Sequence, residues 1–390
     1  MTRVLHLAGH NYKWNLESYI DHGIGDGIIF TAYSIPYQSY GKKLSGYKAD
    51  LYKESSTIDL QFYGNKKSIG GKLSSYPFHP IHASSSSKTV IDGADQVEAA
   101  IKYQQNASIK NVIVPNFFYK DTLNTNKMLK RIHDRAMALK KKNEKFFMTL
   151  CFDKDLLLDE LKIEYILQRA TEMDIKFNGY YLVFENSVGY KQKISIDFKY
   201  YNNIYKILST LKLQDFEVIV SYANFNALVF LSLCNIDYIT IGTYENLRNF
   251  SIERFTEELS GGPSRGWFYS EKLLNFIKAE YIDFFRSKAC ANIIANDRNI
   301  FSNVILDDSF EWKTTHQPQI HKNYLLSANN QIKKLSSIKN IAERSQYFID
   351  KIENAKKLYK DIATNYKIFL DDESADYHLS MWKSFIMMNL

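Results

Sequence analysis

Residues 146–185 read FFMTLCFDKDLLLDELKIEYILQRATEMDIKFNGYYLVFE, and they contain the pattern that predicts the fold class most clearly. Two runs with the length and composition of strands, 146–152 and 179–185, flank a segment at 156–173 whose apolar residues recur at helical spacing. A strand, a helix and a second strand in this order predict a parallel pair joined by a right-handed crossover. The same unit recurs on both sides of this stretch.

Seven strand-like segments of this kind alternate with segments of helical character. They are 26–33, 57–63, 111–117, 146–152, 179–185, 217–223 and 238–243. This alternation predicts a TIM-type (β/α)8 barrel, with an open doubly wound sheet as the alternative. The eighth strand has two candidates, residues 3–8 and residues 265–269. No GxGxxG motif follows a first strand, which disfavours a dinucleotide-binding version of the open sheet.

The pattern changes toward the C-terminus. Residues 296–322 are polar and predict an irregular connection. Residues 323–390 carry apolar residues at helical spacing among many lysines, which predicts amphipathic helices. We therefore expect a barrel over residues 1–295 and a C-terminal α-helical module over 323–390.

The composition is typical of a globular intracellular protein. Hydrophobic residues make up 45% and charged residues 24% of the 390, so the chain can bury a large core without disulfides. The three cysteines lack CxxC spacing, which argues against a disulfide framework and a structural zinc site. No apolar run approaches the roughly 18 residues of a membrane helix. These features predict a cytoplasmic protein with no membrane contact.

The predicted barrel has an unusually polar interior. Alternate residues of each strand point toward the barrel axis, and the residues between them pack on the outer helices and must be apolar. This parity places the following residues inside: Thr31, Tyr33, Asp59, Gln61, Tyr63, Cys151, Asp153, Glu185, Ser221, Thr240 and Tyr244. Tyr181 also points inside if Tyr180, Leu182 and Phe184 pack outward. Barrel interiors are ordinarily filled by Val, Ile and Leu, and buried polar groups cost free energy unless paired. The set predicts either a ligand site at the strand ends or an internally satisfied polar network.

Three carboxylates are the candidate catalytic residues. Asp153 and Glu185 close neighbouring strands, and Glu245 lies just beyond a later one. Two carboxylates across a cleft can serve as acid and base, or as acid and nucleophile, in hydrolysis of a glycosidic bond. The segment 177–185 resembles the catalytic strand of some sugar-cleaving barrels, although Val183 stands where those enzymes place an inner aspartate.

Polar and aromatic residues near the strand ends are the candidate ligand-binding groups. Aromatic rings suit stacking on sugars or bases. The glycine-rich loop 260–266 carries an arginine and can hold an anion, as late barrel loops often do. The candidates are Tyr33, Asp59, Gln61, Tyr63, Asn116, Ser221, Asn224, Tyr244 and Arg265.

The sequence indicates neither a cofactor nor a metal. His79-Pro80-Ile81-His82 is an H-x-x-H on a predicted loop, and no HxH or HExxH motif accompanies it. The net charge of +7 permits a polyanionic partner without requiring one. The basic segment 125–142 and the C-terminal lysines could contact nucleic-acid phosphates, or could form solvated faces.

Two functions follow from these features. The first is a barrel hydrolase or transferase that acts on a small sugar- or nucleoside-containing ligand through strand-end carboxylates. The alternative is a non-catalytic barrel that serves as an interaction subunit of a larger, nucleic-acid-associated complex. In that case a protein partner would bind the C-terminal helices.

Overall fold

Eight parallel strands form one sheet that curves into a nearly closed barrel. The computed structural model describes residues 1–39, 56–64, 71–82, 89–118, 122–186, 188, 191–255 and 265–390, without the side chains of 89–92 and 122–125. The strands are β1 (Arg3–Ala8), β2 (Gly27–Thr31), β3 (Ser56–Asp59), β4 (Asn111–Val114), β5 (Lys145–Phe152), β6 (Gly179–Phe184), β7 (Glu217–Ser221) and β8 (Tyr238–Gly242). The TIM-type barrel prediction is confirmed.

The order of strands around the sheet is β3-β2-β1-β8-β7-β6-β5-β4. The first strand pairs in parallel with both β2 and β8, which brings the two ends of the eight-strand series together. The remaining gap lies between β3 and β4, where the Thr57 hydroxyl donates to the Asn111 carbonyl oxygen at 2.6 Å. Most strands are buried on both faces, as expected of parallel strands covered by helices.

Helices follow most of the strands and cover the barrel. They are α1 (Tyr12–Ile20), α2 (Thr89–Asn106), α3 (Thr122–Leu139), α4 (Lys154–Leu157), α5 (Glu160–Ala170), α6 (Phe198–Leu213), α7 (Ala227–Leu233), α8 (Ala279–Ser287), α9 (Ile300–Leu306), α10 (Pro318–Ser337), α11 (Ile341–Thr364) and α12 (Leu379–Met388). Side-chain caps start several of them. Asp197, for example, accepts the backbone N–H groups of Lys199 and Tyr200 at 2.8 and 3.1 Å. In the described ranges, no helix is long and apolar enough to cross a lipid bilayer.

The segment that competed for the place of the eighth strand forms a separate hairpin. Strands β9 (Trp267–Ser270) and β10 (Asn275–Lys278) pair antiparallel with each other. Of the two candidates for the eighth strand, residues 3–8 form the barrel strand β1, and residues 265–269 do not join the barrel sheet. Helix α8 begins at Ala279, directly after β10.

The C-terminal helices pack on the barrel. Leu325 on α10 and Phe385 on α12 belong to the same apolar cluster as the strands, and the Trp382 indole N–H donates to the Tyr201 hydroxyl at 2.9 Å. A second, smaller apolar cluster lies under the β9–β10 hairpin. The connection expected to be irregular contains α9, which Asn299 caps. The division of the chain near residues 295 and 322 stays a prediction.

Candidate functional site

Six polar side chains meet inside the barrel near the carboxyl ends of β3, β6 and β7. We name this group the Asp59 cluster: Asp59, Gln61, Tyr63, Tyr181, Ser221 and Tyr222. All six are almost completely buried, and Asp59 is 1% exposed. Five of them carry the inward parity that the sequence predicts, so the barrel brings together residues from distant parts of the chain.

The Asp59 carboxylate is the centre of the cluster. One oxygen, Oδ1, accepts the backbone N–H of Gln61 at 2.9 Å. The other, Oδ2, accepts the hydroxyl of Tyr63 and the hydroxyl of Tyr181, the latter at 2.9 Å. The Tyr181 oxygen in turn accepts the Ser221 hydroxyl at 2.5 Å. This chain of hydrogen bonds crosses the barrel interior from β3 to β6 and β7.

Two residues of the cluster lie just after strands in the left-handed backbone region. Gln61 has φ 53° and Tyr222 has φ 50°, conformations that cost non-glycine residues about 1–2 kcal/mol. Their side chains bond to each other, since Gln61 Nε2 donates to the Tyr222 oxygen at 2.6 Å. The Tyr222 and Tyr63 hydroxyls are 3.0 Å apart. The unusual backbone thus turns both side chains into the cluster.

Burial shifts the pKa values of the carboxyl and of the tyrosines in the cluster. Burial raises the pKa of Asp59 from 3.8 to about 6, against the opposing effects of the hydrogen bonds from Tyr63 and Tyr181 and of the Arg254 charge. Burial, followed by the nearby Asp59 carboxylate, raises the pKa of Tyr63 and of Tyr181 far above that of a free tyrosine. The carboxyl is therefore the group of the cluster that titrates near neutral pH.

A 3-10 turn after β8, Ile252–Phe255, lies against the cluster. The Arg254 guanidinium is 5.0 Å from the Tyr33 ring centroid and donates to the Asn246 carbonyl oxygen at 2.6 Å. The Phe255 ring packs edge-on against the Tyr63 ring at 5.9 Å. Together these side chains enclose the cluster.

The predicted catalytic pair, Asp153 and Glu185, binds backbone groups at the strand ends. Asp153 caps α4 and accepts the N–H groups of Asp155 and Leu156 at 2.8 and 3.3 Å. Glu185 accepts the Ile252 N–H at 2.9 Å on one oxygen and the α4 N–H of residue 154 at 3.2 Å on the other. Glu185 thus ties the turn after β8 to the end of β5.

Cys151 shows that the buried carboxylates share one region of the interior. Burial is the largest cause of its raised thiol pKa, and the carboxylates of Glu185, Asp59 and Asp153 follow in that order. All three therefore lie close enough to Cys151 to disfavour a thiolate. Asp59 and the predicted catalytic pair thus all lie around Cys151.

A small cavity of about 30 Å³ opens beside Tyr222, and amide side chains line much of it. Asn249 Oδ1 accepts an amide N–H from Asn186 and another from Asn224, each at 3.1 Å. Arg248 closes another side, with its guanidinium 4.5 Å from the Phe276 ring centroid. The cavity has room for about one water molecule.

Sequence reasoning missed several residues of this region: Asn186, Tyr222, Arg248, Asn249 and Arg254. Each follows the end of a strand, where strand parity no longer predicts the direction of a side chain. The left-handed backbone of Tyr222 is one such departure. A count of polar residues just beyond β6, β7 and β8 is the signal that could have found them.

Tyr33 is joined to the cluster, since its backbone N–H donates to Gln61 Oε1 at 2.7 Å. The predicted site residues Asn116, Tyr244, Glu245 and Arg265 lie apart from the hydrogen bonds of the cluster. Asn116 donates to the Thr149 carbonyl at 3.1 Å. The Tyr244 hydroxyl accepts from Asn11 at 2.7 Å, and Glu245 pairs with Lys193 at 3.1 Å. Arg265 pairs with Asp283 at 2.9 Å, and residues 260–264 of its loop lie outside the described part of the chain.

Of the two histidines of the H-x-x-H segment, His79 belongs to the packing beneath the cluster, whereas His82 is exposed. His79 is buried, its Nδ1 accepts the Ile81 N–H at 3.2 Å, and burial lowers its pKa to about 4. Its Nε2 lies 3.3 Å from the Gln61 carbonyl oxygen. Among the residues whose positions are described, no group of three or more His, Cys, Asp or Glu could hold a metal ion.

The basic helix α3 has acidic neighbours. Lys130 pairs with Asp134 at 3.2 Å and with Asp174. Arg135 pairs with Asp95 at 3.0 Å and with Glu98 at 3.2 Å. These pairs neutralise part of the positive charge that a nucleic-acid interface would need, and nucleic-acid binding stays a prediction.

A scan against protein-family models and a search of curated proteins found no match to this sequence. No relative therefore assigns a reaction to the Asp59 cluster. What the cluster can do has to follow from the chemistry of its own groups.

Proposed function

We propose that this barrel is a hydrolase or transferase that acts on a sugar- or nucleoside-containing ligand at the Asp59 cluster. The observation that carries the proposal is the Asp59 carboxyl, which is buried at the carboxyl end of a barrel strand with a pKa of about 6. A carboxyl with this pKa can both hold and release a proton near neutral pH, as a general acid–base must. Barrel enzymes keep their sites at this end.

Asp59 carries the proton in this mechanism, and Glu185 supplies the second carboxylate. Glycosidic chemistry uses one carboxyl to protonate the leaving oxygen and another to activate water or to attack the sugar. Tyr63 and Tyr181 hold the Asp59 side chain in place through its Oδ2. Asp153 supports α4, whose first N–H binds Glu185.

The lining beside the cluster favours a ligand rich in hydroxyl groups. Asn186, Asn224 and Asn249 line it with amide groups that bond to one another, and the hydroxyl groups of a sugar or ribose can exchange with these bonds because they both donate and accept. The Tyr222 ring lies beside them and supplies an aromatic edge. These contacts are the reason for preferring sugars and nucleosides to apolar ligands.

A ligand reaches Asp59 only when the covering turn moves. The carboxyl is 1% exposed, and Arg254 and Phe255 pack over its partners. The turn is held by the Glu185 oxygen that accepts the Ile252 N–H. In this proposal, ligand binding displaces Ile252–Phe255 and exposes both carboxylates together.

The test compares wild type with Asp59→Asn on a panel of aryl glycosides and nucleosides. We expect a substrate whose turnover falls at least about 100-fold in the variant, because general acid–base catalysis contributes that much or more. Asp155→Asn is the matched control, since it makes the same change at an exposed carboxylate and should leave turnover unchanged. Turnover equal in Asp59→Asn and wild type would contradict the proposal.

A second candidate function, an interaction subunit, is favoured by exposed apolar residues on the C-terminal helices. Met387 and Met388 at the end of α12 are 59% and 73% exposed, and Phe369, in the segment between α11 and α12, is 71% exposed. Exposed apolar patches often mark protein interfaces. If this surface binds a second copy, Met387→Ser/Met388→Ser will convert an oligomer to a monomer in light scattering. A wild-type monomer would count against self-association.

A further inference from the structure

Arg344 is a buried arginine with no carboxylate partner among the described residues. It lies in the first turn of α11 and is 2% exposed. Its Nη1 donates to Asn235 Oδ1 at 3.1 Å, whereas its Nε and Nη2 have no acceptor in the described chain. Most of the guanidinium's hydrogen-bonding capacity is therefore unused.

An unpaired arginine inside a protein is stabilised when an anion binds beside it. Arginine cannot lose its proton in a protein, so it cannot relieve burial by becoming neutral. Removing an unpaired charge from water costs several kcal/mol. The neighbouring Cys234 does not supply the counter-charge, because burial raises its thiol pKa to about 12.

Arg344 lines a cavity of about 880 Å³ at the amino-terminal face of the barrel, at the end opposite the carboxyl ends where the Asp59 cluster lies. Lys339 is exposed on its rim, directly before the Asn340 cap of α11. The start of this helix adds N–H groups and a partial positive charge.

The acidic residues of the cavity do not face Arg344 as ion-pair partners. Asp237 is engaged by Lys212 at 2.6 Å and by the Val218 N–H at 2.8 Å. Asp215 is exposed. Among the described residues that line this cavity, the side-chain cations without an acidic partner are thus Arg344 and Lys339, both near the start of α11.

We propose that this cavity binds a small phosphate monoester, with its phosphate on Arg344 and its organic group against apolar residues of the rim. Nε and Nη2 form a fork that matches two oxygens, and a third oxygen remains for Lys339 and the helix start. A carboxylate has only two oxygens, so it would leave Lys339 and the helix start without an acceptor. Leu213, 80% exposed, and Ile341, 40% exposed, offer an apolar surface beside the fork. Because Nε and Nη2 of Arg344 are enclosed by the protein, the Arg344 side chain must turn toward the cavity as the ligand enters.

Calorimetric titration with three probes tests this site: phenyl phosphate, inorganic phosphate and benzoate. We expect wild type to bind phenyl phosphate at least about tenfold more tightly than benzoate, since losing one charge-assisted hydrogen bond costs that much. Arg344→Met should abolish binding, and Lys339→Met should weaken it severalfold. Lys357→Met is the matched control, because it removes the same charge from an exposed position of the same helix.

Arg344→Met should fold, because replacing an unpaired buried charge with an apolar side chain of similar length is neutral or stabilising. If it does not fold, the exposed Lys339→Met still tests the site. If wild type binds inorganic phosphate as tightly as phenyl phosphate, the assignment of the organic group to Leu213 and Ile341 is overturned. Failure of wild type to bind either phosphate compound, or unchanged binding in Arg344→Met, would overturn the site.

Discussion

At the scale of single residues, two opposing effects set the state of Asp59. Burial favours its neutral form, while the hydrogen bonds from Tyr63, Gln61 and Tyr181 favour the carboxylate, and burial prevails. The folded pKa of about 6 lies above the ordinary value of 3.8. The stability that this group contributes is therefore fully present below about pH 4 and is lost as pH rises through about 6.

Asp59→Asn, which resembles the neutral carboxyl, should reveal this linkage. Between pH 4 and pH 7, the variant should gain about 2 kcal/mol in free energy of unfolding relative to wild type, from a pKa shift of about two units. Urea unfolding of both proteins at each pH unit measures the difference. A difference that stays constant across this range would show that Asp59 has an ordinary pKa in the folded protein.

Strand parity predicts part of the site from the sequence. Strand parity alone places Asp59, Gln61, Tyr63 and Ser221 inside the barrel, and the structure joins them in one cluster. Parity could not include Tyr222, because a left-handed residue ends the alternation at that point. Nor could it show that Glu185 binds two backbone N–H groups, since these contacts depend on loops that the sequence leaves undetermined.

At the scale of elements, Glu185 is the link between two loops. One of its oxygens accepts an N–H from α4 and the other an N–H from the turn Ile252–Phe255. A glutamine has only one acceptor oxygen, so it would set its own NH₂ group against one of these donors. The position of the covering turn thus depends on this carboxylate.

Glu185→Gln should therefore lower the free energy of unfolding by about 1–3 kcal/mol, the usual cost of a buried donor left unsatisfied. Glu245→Gln is its control, because the Glu245 side chain is about half exposed and its pair with Lys193 should contribute less than about 1 kcal/mol. Chemical denaturation measures both. If the free energy of unfolding falls equally in the two variants, Glu185 does not anchor the loops.

The sequence predicts a strand or a helix correctly where residue composition and hydrophobic period agree. It does not predict which strands pair when the partners lie far apart in the chain. The segments 3–8 and 265–269 have similar strand composition, and only the partners distinguish them: β1 lies between β2 and β8, whereas β9 turns back onto β10. Helix α9 was not expected, because it is seven residues long and begins at an asparagine cap within a polar segment. Neither outcome follows from local propensity.

At the scale of the whole molecule, buried titratable groups govern stability in acid. Burial lowers the pKa of His6, His79 and His321 to about 4 and that of His378 to about 3. Stability from these neutral imidazoles is present above their unfolded pKa of 6.5 and is lost as pH falls toward 4. Asp59 and Glu271, with pKa values raised by burial to about 6 and about 7, act in the opposite direction.

The four histidines outweigh the two acids, so the protein should become less stable in mild acid. Near pH 5.5, unfolding should take up about two protons, and the free energy of unfolding should fall by about 3 kcal/mol per pH unit. Denaturant titrations between pH 7 and pH 5 test this slope. Replacing His79 with Gln should make the slope shallower, and a stability that stays constant over this interval would refute the burial of neutral histidines.

The most direct test of the central claim, that Asp59 is the acid–base group of a ligand site, is a carbon-13 titration of its side-chain carboxyl. Comparison with Asp59→Asn identifies the signal, and the titration is repeated with a glycoside or nucleoside that stabilises the wild type. We expect a pKa near 6 that moves when the ligand binds. A pKa near 4 that is the same with and without ligand would contradict the claim.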